Sequence, residues 1–151
     1  MSLVRTLLTT FLLAFPVLAP AQAPEPTALQ QEAIRFANEF LDLVDQRRYD
    51  EALDQYVNGK EIRARAPALW PQTEALMRQA FTQREPRGRL SDRRLESVSG
   101  RGGEIDLKFI FSPEFPEKLR GNRELRNHLE SIRVLRRGDG KMWIATYSVG
   151  G

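Results

Sequence analysis

Helical periodicity in the first half of the chain and two-residue periodicity in the second predict an α+β fold. N-terminal helices would pack on a curved, cone-like antiparallel sheet of about four strands. Three observations carry this expectation. Leu29, Ala33, Phe36, Ala37, Phe40, Leu41 and Val44 form one continuous stripe at helical spacing. Ile105, Leu107, Phe109 and Phe111 alternate with Asp106, Lys108 and Ile110 at strand spacing. Pro86 and Gly88 separate the two regimes, and Gly138-Asp139-Gly140 marks a hairpin before the last strand.

The first element is an address. MSLVRTLLTTFLLAFPVLAPAQA has a basic start at Arg5, a short apolar run from Leu7 to Phe15, and small residues fitting the A-x-A cleavage pattern. Cleavage is expected after Ala21. Ala23 is the other fitting site, but Pro24 directly behind it hinders a protease. The apolar run falls short of the ~20 residues that span a bilayer, so no membrane span is expected to be retained. The reading is a signal peptide over 1–21, a linker over 22–26, one domain over 27–151, and export to the periplasm. The chain contains no cysteine, which closes the lipid-anchored route. With no cysteine and His128 as its single histidine, a structural zinc site is not expected, nor is any cofactor.

Thr27 opens a helix expected over 27–46, with Thr27 and Gln30 at capping-box spacing. Asp50 is the expected cap of a short second helix that carries Ala52, Leu53, Tyr56 and Val57 inward and ends at Asn58-Gly59. Residues 60–66 are ambiguous. Pro71 suits a first helical turn, giving a helix to Arg84 with Leu69, Leu76, Met77, Ala80 and Phe81 on its buried side. Strands are expected at 94–98, 105–111, 128–137 and 142–149. Residues 100–103 form the first turn. Ile132 and Val134 share one face of the third strand; Trp143, Ala145, Tyr147 and Val149 share one face of the last.

At 151 residues the chain is long enough for one domain, and it can bury roughly two thirds of its unfolded surface without staples. Its 23 cationic side chains face 20 acidic ones, a mixed surface that argues against a nucleic-acid binder.

The order of short motifs resembles a known family. LDLVDQRRYDEAL over 41–53, Trp70 ahead of Arg84-Glu85-Pro86-Arg87-Gly88, Arg93-Arg94-Leu95, and then Glu130, Ile132 and Val134 before a Gly-Asp-Gly turn, Trp143 and Tyr147 occur in the same order in the bacterial exported family known as domain of unknown function 4019. The resemblance covers about 33–149 and implies a fold like that of nuclear transport factor 2 and the ketosteroid isomerases. This chain departs from the pattern in the proline-containing stretch 113–121 and in reading TYSV at its end. The family supplies no catalytic residues to carry over, and fold alone does not give function.

No catalytic residue is assigned. Asp42 and Asp45, three apart, are read as a solvated helix end rather than an acid–base pair. The Gly100 to Gly103 stretch lacks the following helix that holds phosphate. Phe36, Phe40, Phe81, Trp143 and Tyr147 are the candidate lining of an apolar pocket. Arg84, Arg87, Arg89 and Arg93 are the candidate anion-binding residues, although helix-end electrostatics explain part of that cluster. The leading expectation is a non-enzymatic exported domain that binds an envelope protein or a small apolar ligand, with a homodimer left open. Two alternatives stand beside it: an isomerase or hydratase using Tyr147 or Asp42 in the cone, whose inward faces read as wholly apolar, and an anion-binding envelope module using the arginines.

Overall fold

The computed structural model describes residues 25–84, 92–112 and 128–150. It is an α+β structure in which helices pack on one face of an open, curved, four-stranded antiparallel sheet.

Helix α1 spans Ala28–Asp45. Its capping box forms as the spacing predicts: Gln30 N–H donates to Thr27 Oγ1 at 3.2 Å, and Thr27 N–H donates to Gln30 Oε1 at 2.9 Å. The apolar stripe buries Ala33, Ala37, Phe40, Leu41 and Val44. Arg47 closes the helix with φ 58°, a left-handed residue after the last turn. Helix α2 spans Tyr49–Gln55 and takes Arg48, not Asp50, as its N-cap residue. Asp50 lies one residue inside the first turn, where its charge still favours the positive end of the helix.

The ambiguous 60–66 stretch is helical: α3 spans Gly59–Arg65. A side chain at Gly59 would come within 2.7 Å of the Trp70 ring and 3.0 Å of the Leu53 carbonyl. Glycine therefore permits the close approach of α2, α3 and Trp70. A single 3₁₀ turn, Pro67–Leu69, leads into α4, Trp70–Arg84. Met77, Ala80 and Phe81 are buried as expected, but Leu69 and Leu76 are 61% and 59% exposed. The buried stripe of α4 runs through Trp70, Met77, Ala80, Phe81 and Arg84, and Leu76 lies about a quarter turn off it.

Strands β1 (Asp92–Arg101), β2 (Glu104–Ser112), β3 (His128–Arg136) and β4 (Met142–Gly150) pair in sequence order. Two bulges adjust which side chains face the helices. One lies between Leu95 and Ser97 and keeps both Leu95 and Val98 against the core. The other lies in β4: Arg133 pairs with Thr146 and Val134 with Ile144, so Ala145 is an extra residue. Met142, Ile144 and Tyr147 are consequently the buried set in β4. The expected face of Trp143, Ala145, Tyr147 and Val149 is corrected. The bulge inverts the alternation between Ile144 and Tyr147, leaving Trp143 half-buried beneath the Arg137 guanidinium, 4.9 Å from its ring.

The core joins the α1 and α4 stripes to Ile105, Leu107 and Phe109 of β2, Ile132 and Val134 of β3, and Ile144 of β4. Aromatic rings fill its centre: Phe40 meets Tyr147 edge-on at 5.3 Å, and Tyr49 stacks on Phe81 at 4.7 Å. No described helix is long and apolar enough to cross a membrane.

Candidate functional site

The core face of β3 is not wholly apolar. Glu130 stands on the same face as Ile132 and Val134, with its side chain at 0% exposure. Burying a carboxylate is costly unless it is paired and hydrogen-bonded, and two elements supply the partners. Arg84, in the last turn of α4, donates Nε–H to Glu130 Oε1 at 2.6 Å. Tyr147 of β4 donates its hydroxyl to Glu130 Oε2 at 2.9 Å.

The network continues outward from there. Arg84 also reaches Asp45 Oδ1 at 2.5 Å. Asp45 is the last residue of α1, where the negative end of the helix disfavours a carboxylate; two guanidiniums offset this. The second is Arg93 of β1, which lies 3.7 Å from Asp45 and pairs with Asp42. One chain of charge thus ties β4, β3, α4, α1 and β1 together. Asp45 is not a solvated helix end; only Asp42 is largely exposed.

The electrostatics follow from burial. Burial raises the Asp45 pKa above the usual carboxylate value, with the Arg84 charge pulling the other way. Burial also pushes the Tyr147 hydroxyl far up, and the neighbouring Glu130 charge adds to this, so Tyr147 stays protonated and donating. Burial opposes the charge on Arg84 most strongly, but the groups around it, Glu130 foremost and Asp45 among them, together outweigh burial and the pKa is raised. Chemically the arrangement is an internal ion-pair network: the positive charge of Arg84 lies between two carboxylates of the same chain.

A separate surface feature lies beside it. Helix α4 and the outer edge of β4 border a groove of about 380 Å³. Leu76, Met77 and Ala80 form one wall, and Ala145, Tyr147 and Ser148 the other. None of the residues lining it is charged. Two smaller clefts differ in kind: one is lined by Glu32, Arg35 and Glu39, the other by Asp50, Asp54, Arg63, Glu74 and Arg78.

The structure distributes the expected site residues as follows. Phe40, Phe81 and Tyr147 come together but fill the core against one another, and Phe36 joins them through Tyr56 at 4.9 Å. Only Tyr147 among them also lines the groove, and Trp143 is on the other face of the sheet. Arg84 and Arg93 engage carboxylates of the chain itself. Arg87 and Arg89 lie outside the described residues. Among the described residues no cluster of His, Cys, Asp or Glu could hold a metal ion. Sequence reasoning missed Glu130; its signal was its position two residues before Ile132 and four before Val134, on their face.

Comparison with protein-family models, curated proteins and solved structures finds no match.

Proposed function

We propose that the protein is a non-enzymatic exported binding domain that takes an uncharged protein surface or a small apolar ligand in the groove between α4 and β4. The observation that carries this reading is a contrast in charge. The polar groups that converge inside are bonded to one another, whereas the groove that opens outward is uncharged and carries the exposed Leu76. Pockets of this kind bind mainly through apolar contact, with a few polar groups setting orientation. Thr73, Gln79 and Gln83 are available for that second role.

An isomerase or hydratase would need an acid or hydroxyl free to meet a substrate. Against it stands the Tyr147 hydroxyl, which is turned inward to Glu130. Against the anion-binding alternative stand the ion pairs of Arg84 and Arg93. Placement in the periplasm rests on the signal-like segment over 1–21. Membership of the exported family it resembles rests on motif order and belongs to the same proposal.

The test is titration of dilute protein with Nile red, an uncharged apolar probe. Emission is expected to rise on binding and to fall back in Leu76→Asp, which places a charge in the groove without touching the core. Binding indifferent to that substitution would reject the groove as the site.

A further inference from the structure

The sheet is open, so both β1 and β4 are edge strands. Edge strands present unpaired backbone donors and acceptors, and proteins ordinarily protect them with charge, bulges or a covering element. The two edges here differ. Strand β1 carries Asp92, Arg93, Arg94, Glu96 and Arg101 along its ten residues. Strand β4, MWIATYSVG, carries no charge at all. Its first part is covered, because Ile144 N–H donates to the Tyr56 carbonyl at 2.6 Å. Beyond Ile144, no described residue outside the sheet makes a backbone hydrogen bond to it.

That part, Ala145 to Ser148, is one wall of the uncharged groove. Above it stands Leu76, one of two large hydrophobic side chains exposed among the described residues. The chain has 28% charged residues, yet this edge and this groove are both free of charge.

We infer that this surface is where a second copy of the chain docks, β4 pairing antiparallel with its counterpart across a two-fold axis. The inference rests on reading the groove as a binding site and names its occupant. A two-fold contact sets a patch against its own image, so any charge in it meets a like charge nearby, which is destabilising in a strand pair. The β4 surface satisfies that condition. The β1 edge, with Arg93 and Arg94 adjacent, does not. An occupant that is itself a strand can pair with the β4 edge, and an apolar side chain on it can cover Leu76. The chain's own β4 and Leu76 supply both, and the contact extends two sheets into one.

Sedimentation velocity of the purified chain, run from about 1 to about 100 µM where weak dimers dissociate, tests this. A monomer–dimer shift is expected over that range. Leu76→Lys and Ser148→Lys, separately, should weaken the dimer at least tenfold and leave the melting temperature of the dilute monomer unchanged. Ser99→Lys, the same charge on the exposed face of β1, should leave it intact. If Ser148→Lys impairs folding, Leu76→Lys carries the test alone, since that side chain already lies in solvent. A chain that is monomeric throughout overturns the inference. So does a dimer indifferent to the β4 and α4 substitutions, or one broken only by Ser99→Lys. A monomer that still binds Nile red through Leu76 removes the dimer and leaves the binding-domain reading standing; a monomer that binds none removes both.

Discussion

Arg84 and Glu130 meet in the interior with Nε and Oε1 2.6 Å apart, joining the end of α4 to the first half of β3 across 46 positions of sequence. Removing one partner of such a pair leaves a buried charge uncompensated, which costs far more than the pair itself contributes. Arg84→Met is therefore expected to lower stability by about 3–5 kcal/mol in urea unfolding. Arg84→Met combined with Glu130→Leu should recover much of that loss. A double variant no better than the single one would show that the pair does not act as a unit.

Tyr147→Phe removes one hydroxyl and nothing else. Because that hydroxyl donates to a carboxylate, the expected loss is about 1.5–3 kcal/mol, with an unchanged denaturant slope. A loss near zero would mean that water or another donor replaces it.

Glu61 gives the protein an acid-sensitive contact. Lys141, Asn58 and Arg137 donate to its carboxylate and hold its pKa down to about 2, from 4.5. A lowered folded-state value means that its contribution is present above 4.5 and is lost as pH falls towards 2. Glu61→Gln should thus lower the melting temperature at neutral pH and narrow the gap to wild type between about pH 5 and about pH 2. Asp45 has the opposite sign. Its raised value means that its ionisation disfavours the fold as pH rises above 3.8, so Asp45→Asn should not show the same acid-side convergence.

Gly59→Ala is a small change at a crowded point. The new methyl would meet the Trp70 ring at 2.7 Å, inside contact distance. Overpacking of this kind costs about 1–3 kcal/mol, although alanine favours a helix. Thermal unfolding should show a lower midpoint, and a raised one would mean that Trp70 moves away freely.

The elements were legible wherever one period ran without interruption. The α1 stripe from Leu29 to Val44, the alternation from Ile105 to Phe111 and the hairpin at Gly138 all declare themselves. Leu76 departs from the expectation because apolarity alone does not mean burial: a residue a quarter turn off the stripe can serve a surface instead. Glu130 was overlooked for the converse reason: its charge hid a position that its spacing placed inside. Its partners explain why. Arg84 and Tyr147 reach it from distant parts of the chain, and no local pattern announces a contact made only by folding. The uncharged run of β4 was visible in the sequence, but its meaning depended on knowing that it lies at an edge.

The extra residue at Ala145 has one more consequence. Taken up as a bulge, it reverses the sense of every later side chain in β4 relative to an unbroken alternation, so the bulge decides whether Tyr147 points at Glu130 or at solvent. Deleting Ala145 would leave Ile144 and Tyr147 two apart, restore regular alternation and keep the tyrosine inward; keeping Ala145 but pairing the strand without a bulge would swing it outward. The irregularity acts as a parity bit for the end of the chain: the same nine residues paired without a bulge would present the wrong interior.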